Sequence, residues 1–171
     1  LSLEPIRKID ENLDAILEIK NTSFKDVTNI LYTYRKALNR YDYARAMDIF
    51  APDRLSGRTA EDYLRDGGVC VDSARFIATI LANNSVKAKI VLVQSLKGSP
   101  HSYVVAQDSS GSYYIVDGFS CVTKVALADS FYSAAAMYQR GFTQMVLRDL
   151  DGPIDTVLVS PDMELLDSLM N

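Results

Sequence analysis

Cysteine occurs twice and histidine once in these 171 residues. That scarcity excludes a good deal. Cys70 and Cys121 form no CxxC pair and lack the density of a disulfide-built secreted scaffold, so both read as free thiols. Two cysteines and one imidazole at these spacings do not complete a zinc site. Long apolar runs are missing too, since none approaches the roughly 18 residues of a membrane-spanning helix. The first residues, LSLEPIRKID, lack the charged-then-apolar layout of a secretory leader. With no initiator Met, the expectation is a processed product or an excised domain, and localisation stays open with cytoplasm as the default. Charge of one sign is also scarce: 18 Lys and Arg stand against 22 Asp and Glu. No basic stripe carries interleaved aromatics, so a nucleic-acid partner is not expected.

What remains is an ordinary globular composition, 48% hydrophobic and 23% charged, long enough for one domain to bury a core without staples. The first 50 or so residues read as helices. In SLEPIRKIDENLDAILEIK the residues Ile6, Ile9, Leu13, Ile16 and Leu17 recur at three and four, with Ser2 as an N-cap and Pro5 in the first turn. SFKDVTNILYTYRKALNRY repeats the pattern after Ser23, and Asp26 three residues on completes a loose capping box. Pro52 and Gly57 break the periodicity. TAEDYLRD then makes a short helix capped by Thr59 and ended by Gly67-Gly68, and VCVDSARFIATILANN places Ala74, Ile77, Ala78 and Leu81 on one side of a buried helix.

The grammar changes after Asn84. KAKIVLVQS, HSYVVAQ, SYYIVDGF, FTQMVLRD and DTVLVS read as strands, and DSFYSAAAMYQR is the one helix among them, opening at Asp129 or Ser130. Helices first and strands later predict an α+β domain with a mostly antiparallel sheet. The division is a helical N-terminal region, residues 1–57, and a core, residues 58–171, folded together as one compact unit.

Cys70 opens a helix directly after Gly67-Gly68-Val69. The positive end of the helix dipole and the N–H groups without intrahelical partners stabilise an anion there, which suits a nucleophilic sulfur. Glycines before it let a substrate backbone come close. Such a sulfur needs an imidazole to take and return a proton, and the imidazole needs a third group to fix its tautomer. His101 enters a strand after the KGSP turn, and Asp117 closes the apolar strand SYYIVDG, where a carboxylate is costly without a partner. If Ser109-Ser110-Gly111 form a three-residue hairpin loop with Gly111 left-handed, 108 pairs with 112 and His101 faces position 119. Asp117 is then a diagonal neighbour on the same face, and a five-residue loop keeps that face, whereas two or four residues reverse it.

The stretch TAEDYLRDGGVCVDSARFIATILANNSVKAKIVLVQS followed by HSYVVAQDSSGSYYIVDG resembles the core of transglutaminase-like cysteine enzymes of the papain-like superfamily. Gly68, Cys70, Asp72 and Ala74 match the Gly-x-Cys-x-Asp-x-Ala run, and His101 and Asp117 match by order and placement, over residues 58–120. The resemblance implies a sheet packed on the helix that begins at the catalytic Cys70, with His101 as general acid/base and Asp117 orienting the ring. The chain departs from the pattern at HSY, where many relatives read HAW, and at Gly118, where Pro or Asn is frequent. Asp72 is expected to serve its own helical turn and Cys121 to be a small packing residue. Beside the Cys70 N–H, Tyr63, Asn84 and Gln94 are candidates for a second oxyanion donor.

The expected activity is a cysteine-dependent hydrolase, a peptidase or protein deamidase working through an acyl-thioester on Cys70, with a protein or peptide substrate and no cofactor. Acyl transfer to an amine and a non-catalytic protein-binding module on the same fold are the alternatives. A metal held by His101, Asp117 and Asp108 is a poor third, since one imidazole with two carboxylates suits neither zinc nor calcium.

Overall fold

In the first helical stretch, the apolar period that reads as one helix is cut in two. The computed structural model describes residues 3–48, 50–95, 100–139 and 141–159. Helix α1 (Leu3–Glu11) stops, and a 3-10 helix (Leu13–Glu18) starts afresh, because the Asn12 side chain accepts the Asp14 N–H and caps a new beginning. The stripe survives the break, with Ile9 and Ile16 buried. Ser2, expected to cap the first helix, lies outside the described residues. Ser23 caps α2 (Phe24–Thr33) by accepting the Asp26 N–H at 3.2 Å, and α3 (Arg35–Leu38) follows after a kink at Tyr34. A short α4 (Tyr43–Met47) opens at Asp42, and α5 (Ala60–Asp66) runs from its Thr59 cap to Gly67.

Helix α6 (Cys70–Asn83) is the central one, with Ala74, Ile77, Ala78 and Leu81 all buried as their spacing predicts. Behind it stands a six-stranded sheet in the order β4-β3-β2-β1-β5-β6, every neighbouring pair antiparallel. Its strands are β1 (Lys87–Ser95), β2 (His101–Gln107), β3 (Tyr113–Asp117), β4 (Cys121–Lys124), β5 (Phe142–Arg148) and β6 (Ile154–Val159). Helix α7 (Phe131–Tyr138) crosses the other face, its Ser130 cap and Ser133 bonded reciprocally. No helix among the described residues is long and apolar enough to cross a membrane.

Alternation along the strands sorts the interior into two cores. Ile90, Val104, Ala106 and Val116 face α6 and share a core with Ile9, Ile16, Val27 and Leu31 of the N-terminal helices. Val91, Val93, Tyr103, Val105 and Ile115 face α7 and pack with Ala134, Ala135, Met145 and Leu147. The first core thus draws on both sides of position 57.

Two differences from the expected pattern stand out. Strand β4 has no sequence signature of its own: its four residues are exposed, and pairing with β3 defines it. Cys121 opens that strand and is exposed, so it is not a packing residue. It cannot contribute to a core because an edge strand this short has no layer above it. Both cysteines are free thiols.

Ile77 has no exposed surface and sits where α6 meets the sheet. Ile77→Ala is expected to lower the unfolding free energy by about 2–5 kcal/mol, read from urea denaturation midpoints with unchanged slope.

Candidate active site

The short strand-like contact before Cys70 explains the double glycine. Residues 40–42 run beside Gly68, with Gly68 N–H donating to Arg40 O and Asp42 N–H to Gly68 O. Gly67 ends α5 at φ +72°, in the left-handed region that favours glycine. A Cβ on Gly68 would stand 2.5 Å from Asp72 Oδ2, so only glycine leaves room for the carboxylate behind it.

That carboxylate is fully buried and holds the start of α6. Asp72 Oδ2 accepts the Val69 N–H at 2.8 Å and Arg45 Nε at 2.6 Å, while Oδ1 accepts Arg45 Nη2 and the Arg58 N–H, each at 2.7 Å. Asp72 therefore serves its own helical turn, as expected, and much more. Arg45 turns its remaining nitrogen, Nη1, to Asp53 Oδ1 at 2.8 Å, and the bond to Asp72 leads in holding the guanidinium charged against its burial. Four donors on one carboxylate offset the cost of removing it from water. Arg45 was invisible in the sequence. A buried Asp72 demands a cation, but six neighbouring arginines between 35 and 65 compete for the part.

His101 begins β2 and Asp117 ends β3, and the register between them is that of a three-residue loop. Gln107 pairs with Tyr113 and Val104 with Val116, Asp108 N–H donates to Ser112 O at 3.0 Å, and Gly111 has φ +87°. Asp117 is then diagonal to His101 on the face that carries α7, and His101 Nε2 meets Asp117 Oδ1 at 2.7 Å. An ionised carboxylate only accepts, so Nε2 carries the hydrogen and Nδ1 is the nitrogen left for the thiol. The Cys70 thiol stands near enough to the ring to act on its charge. Although α6 packs on the opposite face, both groups stand at the rim of the sheet, where the first residue of β2 meets the first turn of α6.

The structure thus brings Cys70, His101 and Asp117 together. The Asp117 bond first and the Cys70 contact second raise the His101 pKa from 6.5 to about 10, against the opposing effect of burial. Burial by itself would raise the Asp117 carboxyl, but hydrogen bonds from His101 and Tyr138 outweigh it and hold the group below its ordinary range. The His101 side chain is 42% exposed, so the ring is reachable from solvent. An imidazole held between a thiol and a carboxylate can take a proton from one substrate atom and return it to another.

One group at the site went unforeseen. Tyr138, at the end of α7, donates its hydroxyl to Asp117 Oδ2 at 2.7 Å, and its ring lies edge-on to Tyr103 with centroids 5.1 Å apart. Nothing in DSFYSAAAMYQR marks that tyrosine, because only the docking of α7 beneath the sheet carries it to Asp117. The expected second oxyanion donors separate cleanly. Tyr63 donates its hydroxyl to Leu38 O at 2.7 Å, and Asn84 closes the far end of α6 through Ile80 O and the Thr22 N–H. Gln94 stands at the Cys70 end of the sheet, one residue past the Val93–His101 pair and on the α6 face. Asp108 spends its carboxylate on Ser110 and Ser112 within the hairpin. Among the described residues no group of three or more His, Cys, Asp and Glu is placed to hold a metal ion.

An open cleft of about 880 Å3 lies between Ser23, Asn84, Lys87 and the Asp108 hairpin, at the opposite end of α6 from Cys70. It belongs to the packing of the N-terminal helices against the hairpin and has no part in the Cys70 constellation.

A helix opening at a cysteine is packed on an antiparallel sheet whose rim carries a histidine and an aspartate. The chain belongs to the transglutaminase-like domain family, whose model matches residues 6–139. Among solved structures it is similar to calcium-bound Legionella pneumophila LapG, at 16% identity and a TM-score of 0.53 over 100% of both chains. It also matches a TGase crystal structure at 17% identity and a TM-score of 0.44, covering 67% of this chain and 30% of that one. The chain therefore spans under a third of the TGase. At these identities the likeness to LapG is one of fold. No curated protein matches the chain.

Two outcomes follow from the buried charges. Asp72→Ala leaves Arg45 without its main partner and is expected to cost about 3–5 kcal/mol, and Arg45→Ala a similar amount. The double variant should lose clearly less than the sum in a denaturant-measured cycle. His101 behaves differently because its pKa is raised on folding. Its contribution to stability is complete below pH 6.5 and fades as pH rises toward about 10. The unfolding free energy of the wild type minus that of His101→Gln, followed across that window, should fall with increasing pH.

Proposed function

We propose that this chain is a cysteine-dependent hydrolase that cleaves a peptide or carboxamide bond of a protein or peptide substrate through an acyl-thioester on Cys70. The observation that supports it is the imidazole of His101, bonded to Asp117 at 2.7 Å and near the thiol of Cys70 at the first turn of α6. A raised imidazolium pKa suits a ring that takes the proton of the sulfur as the sulfur attacks.

In this reading the Cys70 sulfur attacks the carbonyl carbon, and the carbonyl oxygen becomes an oxyanion. The Cys70 N–H, without an intrahelical partner at the head of α6, points to that oxygen as one donor. Gln94 is the second, being the one candidate at the right end and face of the sheet. Collapse of the intermediate breaks the C–N bond, and His101 passes its proton to the departing amine. Water then gives a proton to His101 and attacks the thioester, and the same proton returns to the sulfur as the acid leaves. Asp117 keeps the ring in the Nε2–H form throughout.

Iodoacetamide provides a check that needs no known substrate. Cys70 should be carbamidomethylated rapidly near neutral pH and far faster than in His101→Ala, with exposed Cys121 as the internal reference. Slow labelling of Cys70 that ignores the histidine would favour a non-catalytic binding module. The acyl group itself is read by mass spectrometry of the intact chain mixed with candidate protein substrates, where the adduct should appear on Cys70 and vanish in Cys70→Ala.

A further inference from the structure

The hydrogen bond from His101 occupies one oxygen of Asp117 and leaves the other to Tyr138. We propose that Tyr138 is a positioning residue for the thiol chemistry: its hydroxyl, on Asp117 Oδ2 at 2.7 Å, fixes the carboxylate plane that holds the His101 ring. The inference rests on the reading of Cys70, His101 and Asp117 as the reacting set.

The terminal torsion of an aspartate is soft, and a single bond to one oxygen leaves the carboxylate free to swing away from the ring. A second donor on the other oxygen removes that freedom. The three groups come from three elements, His101 from β2, Asp117 from β3 and Tyr138 from α7, so the carboxylate is set by how the helix docks on the sheet. The docking is firm. Ala134 and Ala135 of α7 are fully buried, Tyr103 Oη donates to Ala135 O at 3.3 Å, and the Tyr103 ring bears on the Tyr138 ring.

The chemistry of the donor matters as much as its position. Burial first, the neighbouring Asp117 second and the Cys121 thiol on β4 third push the Tyr138 phenol well above its ordinary value, so it stays a donor while His101 titrates. A neutral donor also keeps Asp117 ionised without competing with the imidazolium for it. Tyr138 reaches the reaction only through Asp117 and His101.

Tyr138→Phe deletes the donor and keeps the ring against Tyr103. Its expected effect is a fall of about tenfold in the rate at which iodoacetamide labels Cys70 at pH 7, the order of one hydrogen bond to a charged group. The acid limb of the rate against pH should also move upward, because Asp117 protonates more easily without the phenol. Tyr63→Phe is the comparator: it loses a hydroxyl bond of the same 2.7 Å length, to a backbone carbonyl, and should lower the melting temperature with the profile unmoved. 3-Fluorotyrosine at position 138, a stronger donor of nearly the same shape, should shift the acid limb downward and covers the case in which the Phe variant does not fold. Tyr138→Phe and 3-fluorotyrosine profiles that both superimpose on wild type, or a Tyr63→Phe profile that moves equally, overturn the proposal. His101→Ala separates the levels. If it slows labelling and Tyr138→Phe does not, only the positioning role fails, and if neither slows it, the thiol reading fails as well.

Discussion

The ion pair between Arg45 and Asp72 is the contact on which the rest of the site depends. It ties α4, the loop through Asp53 and Arg58, and the first turn of α6 to one buried carboxylate. Because Asp72 also accepts the Val69 N–H, the same group that binds the N-terminal region caps the helix carrying Cys70. A buried pair of this kind is a weak source of stability when compared with an apolar substitute, yet losing one member is severe. Its value here is directional. Bidentate geometry on a planar guanidinium specifies where the helix begins and so where the sulfur stands.

The second constraint is the meeting of two faces. Helix α6 lies on one side of the sheet and α7 on the other, each with its own core. Groups in the middle of those faces could never touch. Cys70, His101 and Asp117 all sit at element ends along one rim, where a thiol from one layer and a ring from the other come within reach. Half-exposure of the imidazole follows from the same placement.

Much of this was legible in the sequence because it is local or periodic. Apolar spacing gave α6 and its buried side, Ser23, Thr59 and Ser130 gave three helix starts, and alternation gave five of the six strands. The relation of His101 to Asp117 could be worked out because antiparallel register is arithmetic once the loop is known. What escaped was whatever depends on packing between distant segments. The break at Asn12 came from one cap competing with a sound helical period. β4 exists through its neighbour, Cys121 is exposed because β4 is itself the edge of the sheet, and Arg45 and Tyr138 are recruited by docking that no residue pattern records.

The hairpin tip at Ser109-Ser110-Gly111 has a consequence for how such chains can change. It begins eight residues past His101, roughly 26 Å along the strand, on a surface turn of the sort that ordinarily absorbs insertions and deletions. Here one added residue, uncorrected by a bulge, rotates everything downstream in β3 to the reverse side and strands the carboxylate from its ring. Apart from the left-handed Gly111, the turn tolerates change most readily in even steps of length, so descendants of this chain should carry a parity rule written far from the imidazole.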